Sequence, residues 1–253
     1  MIDKLDIEEI KPSSRRYPAL IFDQEREAGD QILNIEQLTV SVEGSPLFNN
    51  VNLNLAKGDK VIVHSKDTRA IELFYDILMG EAQADSGTCS WGITTTQAYL
   101  PVDHDAFFES PVSLVDWLRQ YAKTEEEREE VFLRGFLGKM LFSGEEALKM
   151  SNVLSGGEKV RCMLSKMMME RANVLVLNEP TNHLDLESIT AFNNSLKNFK
   201  GTLLCSTSDH AFAQTLGNRI VELTPNGMVD RHMTFDEYMT DPKIKELREK
   251  LYQ

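Results

Sequence analysis

The chain has 253 residues, 42% of them apolar, and a formal net charge of −13 at pH 7. That length can hold one large lobed domain or two small ones, with enough apolar residues for a sizeable core. The charge argues against a broad nucleic-acid surface, because phosphate contacts need clustered Lys and Arg; no apolar run approaches the roughly 18 residues of a membrane span, and the charged N-terminus is unlike a signal peptide.

Residues 1–31 carry Pro12, Ser13, Ser14 and Pro18 among mixed charges and read as a linker tail. Residues 32–253 read as one α/β domain. Ile32 to Leu55 alternates as strands do, with Gly44-Ser45-Pro46 as the expected turn, and gives an antiparallel β-lobe. Lys57-Gly58-Asp59-Lys60 leads into a strand at Val61-Ile62-Val63. The helix that follows puts Ile71, Phe74, Tyr75 and Leu78 on one face. Between Asp103 and Val153 the composition turns helical. Ser113 with Asp116 and Thr124 with Glu127 have the spacing of capping boxes, and Glu125 to Glu127 is expected to be a solvated acidic face. Cys89, Cys162 and Cys205 stand apart with no CxxC, which predicts buried reduced thiols in a cytoplasmic protein.

Ser151 to Asp185 is the most informative stretch. Leu154-Ser155-Gly156-Gly157-Glu158 opens a helix, with Ser155 and Glu158 at capping-box spacing. Two glycines in a first helical turn permit close approach of a backbone or a phosphate, where free N–H groups and the helix dipole favour an anion. Val160, Met163, Leu164 and Met167 recur on one face, and Met168 and Met169 are expected in the core with them. Val174 to Leu177 reads as a strand buried on both faces. Asn178 and Glu179 end it, where open α/β sheets put their ligands. Leu186 to Phe199 is a further helix and Thr202 to Ser206 a further parallel strand. Pro225-Asn226-Gly227 marks a hairpin, and Asp241-Pro242 starts the last helix.

LSGGE at 154–158, VLVLNEP at 174–180 and TNHLD at 181–185 resemble the signature, Walker B and D-loop of an ATP-binding cassette. EPTNHLD followed by LESI resembles the ABC-F class, soluble twin-cassette proteins without membrane domains, several of which act on ribosomes. Ile7 to Arg15 resembles the end of the linker between the cassettes of the YbiT-like branch, so the chain looks like the second, C-terminal cassette. The resemblance implies an ABC-type P-loop NTPase-like α/β fold. It would have a mixed or parallel core sheet, an antiparallel β-lobe and a helical lobe at about 103–153.

The departures from the family pattern are selective. In register with the phosphate loop G-x-x-G-x-G-K-[ST] the chain has Ser65-Lys66-Asp67-Thr68-Arg69-Ala70-Ile71-Glu72, without a glycine. Ile71 stands at the Lys position and Glu72 at the Mg²⁺-binding hydroxyl. Val42 stands where an aromatic stacks adenine, Val102 for the Q-loop Gln, Asn178 for the Walker B Asp and Ser208 for the switch His. His210, two residues on, is expected to start a helix. Glu179 remains at the position of the catalytic base.

The losses fall on parts that hold a cassette's own ATP. By the resemblance, Ser155, Gly156, Gly157 and Glu158 of the signature, with Asn182 and Asp185 of the D-loop, would serve ATP held by the phosphate loop of a head-to-tail partner. The resemblance thus implies a composite site, with ATP and Mg²⁺ held mainly by a partner cassette, expected to be the N-terminal half of the same protein. It implies no metal ligands and no nucleotide on the isolated chain. The ribosome is a further partner on resemblance alone. Two alternatives stay open: an ATPase that uses Lys66 and Arg69 on the phosphates with Glu179 as base, and a docking module in which LSGGE is only a helix cap.

Overall fold

A computed structural model describes residues 16–253, so the linker-like stretch Ile7 to Arg15 lies outside the described residues. In chain order the elements begin with β1 (Gln31–Val42), β2 (Ser45–Ala56), β3 (Lys60–His64), α1 (Thr68–Met79), β4 (Ser86–Trp91) and β5 (Gln97–Leu100). Then come α2 (Leu114–Arg119), α3 (Glu125–Arg128), α4 (Glu130–Lys139), α5 (Gly156–Glu170), β6 (Val174–Asn178) and α6 (Leu186–Asn198). β7 (Thr202–Ser206), α7 (His210–Leu216), β8 (Arg219–Thr224), β9 (Gly227–Arg231), α8 (Phe235–Thr240) and α9 (Pro242–Tyr252) complete the fold.

The strands form an antiparallel three-stranded sheet, β2-β1-β4, and a six-stranded sheet, β5-β6-β7-β3-β8-β9. The second sheet is parallel except for β9, which runs antiparallel to β8. The β1–β2 turn differs from the expected Gly44-Ser45-Pro46. It consists of Glu43 and Gly44, with φ of 51° and 79°, the left-handed pair that suits the twist of a tight hairpin. Pro46 already lies in β2 opposite Ser41, and is tolerated because β2 is an edge strand where a missing N–H need not break a ladder.

Every residue of β6 and β7 is buried, as central strands covered on both faces must be. Alternate side chains feed two cores. Val61, Val63, Val176 and Leu204 pack with Phe74 and Tyr75 of α1 and with the three-stranded sheet. Ile62, Leu175, Leu177 and Leu203 pack with the helices of the other side, including Met163 and Met167 of α5 and Phe192 of α6. Met168 and Met169 are also buried. Cys162 and Cys205 are buried free thiols, whereas Cys89, within the edge strand β4, is only half-buried.

Ser113 and Thr124 cap α2 and α3, each hydroxyl accepting from the N–H three residues on. The acidic run is not wholly solvated. Glu125 and Glu126 are exposed, but Glu127 turns back, accepts from Lys123 N–H at 2.6 Å and lies 3.7 Å from the Arg171 guanidinium. This carboxylate thus fixes the residue before the N-cap, Lys123, to the helix that follows. Residues 17–28 run as an extended strap. Ala19 N–H donates to Lys139 C=O at 2.7 Å and Glu25 N–H to Arg171 C=O at 2.8 Å. Leu20 and Phe22 are buried, with the Phe22 ring 5.9 Å from that of Phe192.

Candidate functional site

The C-terminal ends of the parallel strands bring together the loop after β3, the segment after β5, the turn after β6 and the segment after β7. Ser65 starts the first loop; it is buried, and its hydroxyl accepts from Asp67 N–H at 3.2 Å. Asp67 caps α1 by accepting from Arg69 N–H at 3.0 Å, and its carboxylate takes the Arg69 guanidinium at 3.1 and 2.8 Å. Those bonds hold the Asp67 carboxyl below its usual range. Lys66 N–H donates to Tyr252 Oη at 2.9 Å, and its ammonium lies 4.1 Å from the Tyr252 ring centre. Both cations of the loop therefore have partners within the chain. No residue from 65 to 70 has a positive φ, whereas a concave nest of N–H groups uses a left-handed residue. Ile71 is buried in the core between α1 and the sheet, and Glu72 is exposed.

At the end of β6 Asn178 is buried, and its Oδ1 accepts from Ser206 Oγ of β7 at 2.7 Å. On the neighbouring strand β5, burial pushes the Tyr99 phenol well above the usual range, with Asp76 and Glu81 acting in the same direction. Glu179 follows with φ of 48°. Its N–H donates to Ser206 C=O at 2.8 Å, and its Oε2 accepts from both Ser208 N–H and Ser208 Oγ at 2.9 Å. The Glu179 carboxylate is thus tied to Ser208, past the end of β7. Val102, past β5, is exposed. Val42 is half-buried against the three-stranded-sheet core. His210 is the first residue of α7, with Asp209 as cap and its own ring paired to Asp236.

Ser155, Gly156, Gly157 and Glu158 form a second group with the D-loop. The capping box is complete: Ser155 Oγ accepts from Glu158 N–H at 3.4 Å, and Glu158 Oε2 accepts from Ser155 N–H at 2.8 Å. Lys149 Nζ lies 2.6 Å from Glu158 Oε1. Gly156 and Gly157 present their inner sides to the D-loop: a Cβ on Gly157 would lie 2.6 Å from the His183 carbonyl oxygen, and one on Gly156 3.0 Å from its ring. The close approach that these glycines allow within the chain is thus by backbone and imidazole. Ser155 and Gly156 remain exposed on the outer side. A cleft of about 190 Å³ lies here, lined by Ser155, Gly157, Glu158, Arg161, His183 and Asp185. Asp185 caps α6 by accepting from Ser188 N–H at 2.7 Å, which holds its carboxyl below the usual range. Asn182 N–H donates to Glu179 C=O at 3.1 Å and closes the turn that joins the two groups.

The cap of α5 carries a pH dependence. Burial works to raise the Glu158 carboxyl, but Lys149 and Ser155 outweigh it and leave the group below its usual 4.5. A carboxyl depressed in the folded state stabilises above its unfolded value, and the contribution fades as pH falls through the folded one. After correction for intrinsic rates, exchange of the Ser155 amide, which donates to the Glu158 carboxylate, is expected to show steady protection at neutral pH and a loss beginning below that value. Equal protection at pH 7 and in strong acid would remove the carboxylate from the cap.

Tyr252, Tyr99, His183 and Lys149 carry interactions that the sequence did not single out. Tyr252 and Lys149 meet their partners through tertiary packing. His183 lay inside a recognised motif, and a non-glycine residue with a φ of 64° gives no sign in a linear pattern.

No family model matches the chain. It is 51% identical over 253 residues to the ABC transporter ATP-binding protein YkpA of Bacillus subtilis (strain 168), covering 100% of this chain and 46% of YkpA. It is 36% identical over 244 residues to the ATP-binding protein YbiT of Escherichia coli O157:H7, covering 96% of this chain and 46% of YbiT. ABC transporter F family member 5 of Arabidopsis thaliana is 25% identical over 255 residues, covering 97% of this chain and 36% of that protein. The chain thus spans about half the length of the first two relatives, or less. Among solved structures, a metal-chelate type ABC transporter in an inward-facing conformation superposes with a TM-score of 0.69 at 16% identity, over 87% of this chain and 90% of that one. The ADP conformation of an ATP-binding cassette of an ABC transporter gives a TM-score of 0.63 at 15% identity, over 87% and 98%. No helix among the described residues is long and apolar enough to cross a membrane. The chain has the fold of an ABC ATPase cassette, and its homologues are ABC ATP-binding proteins that include YbiT and ABC-F family members.

Proposed function

We propose that this chain is the second cassette of an ABC-F-like protein, one whose signature turn completes an ATP site held by a partner cassette while its own loop holds no nucleotide. The observation that carries this reading is the contrast between two helix starts. At α5 the turn is exposed, the Ser155 hydroxyl accepts from Glu158 N–H within the turn, and the helix start favours an anion. At α1 the same end is capped by the Asp67 carboxylate, Glu72 adds a second negative charge, and Lys66 and Arg69 are committed to Tyr252 and Asp67.

The residues at the loop after β3 do not fit a magnesium–nucleotide complex. A hard cation favours charged oxygens, and Asn178 offers a neutral amide oxygen that already accepts from Ser206. Glu179 has no bound nucleotide to act on in this reading. Against a partner's ATP, Ser155, Gly156 and Gly157 would supply donors toward the γ-phosphate. Glu158 would hold the turn in shape, and Asn182 and Asp185 would set the D-loop beside it. The partner is the other half of a longer polypeptide, in keeping with relatives about twice the length of this chain. The protein would work in the cytoplasm, and the ABC-F resemblance points to the ribosome as the larger target.

The experiment mixes the chain with a partner cassette that has an intact phosphate loop and follows assembly by sedimentation. Pairing is expected with ATP and not without nucleotide. Sedimentation as two monomers under both conditions would contradict the reading.

A further inference from the structure

The loop after β3 is covered by the chain's own last helix. Tyr252 Oη accepts from Lys66 N–H at 2.9 Å and donates to Glu222 Oε1 at 2.8 Å, while the ring centre lies 4.1 Å from Lys66 Nζ. Tyr252 is not a loose surface side chain. Glu222, which orients its hydroxyl, is 0% exposed and also holds Arg248 Nε at 2.6 Å and Tyr238 Oη at 2.5 Å. Burial, with Glu222 next in effect, pushes the Tyr252 phenol up to about 12, so it stays protonated at neutral pH and can donate and accept at once. Beside it lies a cleft of about 320 Å³, lined by Pro46, Leu47, Ser65, Lys66, Asp67, Thr68, Pro225 and Tyr252.

We infer that Tyr252 is the resident ligand of this loop, its hydroxyl serving the Lys66 amide and its ring serving the Lys66 ammonium. A phosphate would offer the same two things, an oxygen acceptor for a main-chain N–H and negative potential for a cation. A phenol supplies both without a charge, through a lone pair and a π face. The carboxylate at its back is already satisfied by Arg248, so the arrangement presents no repulsive charge to the loop. An external acceptor for the Lys66 N–H has to displace the Tyr252 hydroxyl first. The inference rests on the proposed reading that the loop takes no nucleotide.

The test uses amide exchange and side-chain chemical shifts of the whole chain by NMR. In wild type the Lys66 side-chain methylene signals are expected upfield of their free-peptide positions, because a ring lies over the ammonium. Tyr252→Phe keeps the ring and removes the hydroxyl. It should preserve those shifts and speed Lys66 amide exchange about tenfold, the scale of one hydrogen bond. Tyr252→Ala should lose both signatures. Tyr238→Phe removes a hydroxyl from the same Glu222 without touching the loop and should leave Lys66 exchange unchanged, because exposed-loop amides exchange through local opening and not through global unfolding. Unchanged Lys66 exchange in Tyr252→Phe, or free-peptide methylene shifts in wild type, would overturn the inference. Adding Mg·ATP to the wild-type sample keeps the two ideas apart. Shifts at Lys66 to Ala70 on titration would sink the proposed function, whereas the variants alone decide the role of Tyr252.

Discussion

Ser155→Arg is expected to lower the ATPase rate of a partner cassette by about 10²- to 10³-fold, the usual consequence of losing a preorganised donor at a site of developing charge. The substitution removes the hydroxyl at the N-cap of α5 and puts a long side chain on the exposed side of the turn, where a partner's γ-phosphate would approach. Its effect on the fold is expected to be small. Loss of an N-cap costs about 1 kcal/mol, and Glu158 can still accept from the main-chain N–H of residue 155. Phosphate release by the mixed cassettes gives the rate, and circular dichroism of the variant chain checks its fold. Ser155→Ala separates hydroxyl from bulk, removing the donor without adding an obstacle. If both variants left the partner's rate unchanged, the turn would be a helix cap and nothing more, and the docking-module alternative would gain.

Glu222→Ala is expected to cost about 3–5 kcal/mol of stability, the range for leaving one member of a buried ion pair alone. Glu222 lies within β8 and is fully buried; it joins Arg248 and Tyr252 of α9 to Tyr238 of α8. Without it the Arg248 guanidinium, itself only 12% exposed at the side chain, loses its anion, the Tyr238 phenol loses its acceptor and Tyr252 is left with Leu223 C=O at 3.2 Å. The double variant Glu222→Leu with Arg248→Met removes both charges, and replacing a buried pair by apolar groups is often neutral. It should recover most of the loss. Urea unfolding with an unchanged slope reads both variants. A single variant within about 1 kcal/mol of wild type would show that water reaches the cluster in solution and that the pair is in effect a surface one.

The strand and helix pattern was legible wherever a single face had to be buried. Val174 to Leu177, the α1 face at Ile71, Phe74, Tyr75 and Leu78, and the methionines of α5 all fall in the core, because their periodicity is set by burial alone. The caps at Ser113, Thr124, Ser155 and Asp241 were legible for a similar reason: a helix start needs local acceptors, and those residues supply them within three positions. The β1–β2 turn was misread because Gly44-Ser45-Pro46 has turn composition, whereas register is decided by pairing across the hairpin, which sets Ser41 opposite Pro46. Glu127 was misread for a related reason. A solvated acidic face and a carboxylate turned back onto the chain before its own helix have the same sequence.

At the candidate site the residue types were legible and their partners were not. That Ile71 and Asn178 depart from the motifs the chain resembles is an expectation read from residue types alone. That Asp67 takes Arg69, that Ser206 takes Asn178, that Ser208 takes Glu179 and that Tyr252 takes Lys66 depends on contacts across 2 to 186 positions of chain. Only the first of these is short enough for a local pattern to reveal. These partners weigh on the alternative of an ATPase with unusual phosphate contacts, since Lys66 and Arg69 would both have to leave the groups they hold.

Calorimetric titration of the isolated chain with Mg·ATP, at high protein concentration and paired with thermal unfolding in the same buffer, tests the central claim most directly. Ligand that binds only the folded state must raise its unfolding temperature, so the two readouts check each other. The account predicts no heat beyond dilution and no thermal shift. Micromolar binding with a matching rise in unfolding temperature would contradict it, and would make Lys66, Arg69 and Glu179 parts of a working site.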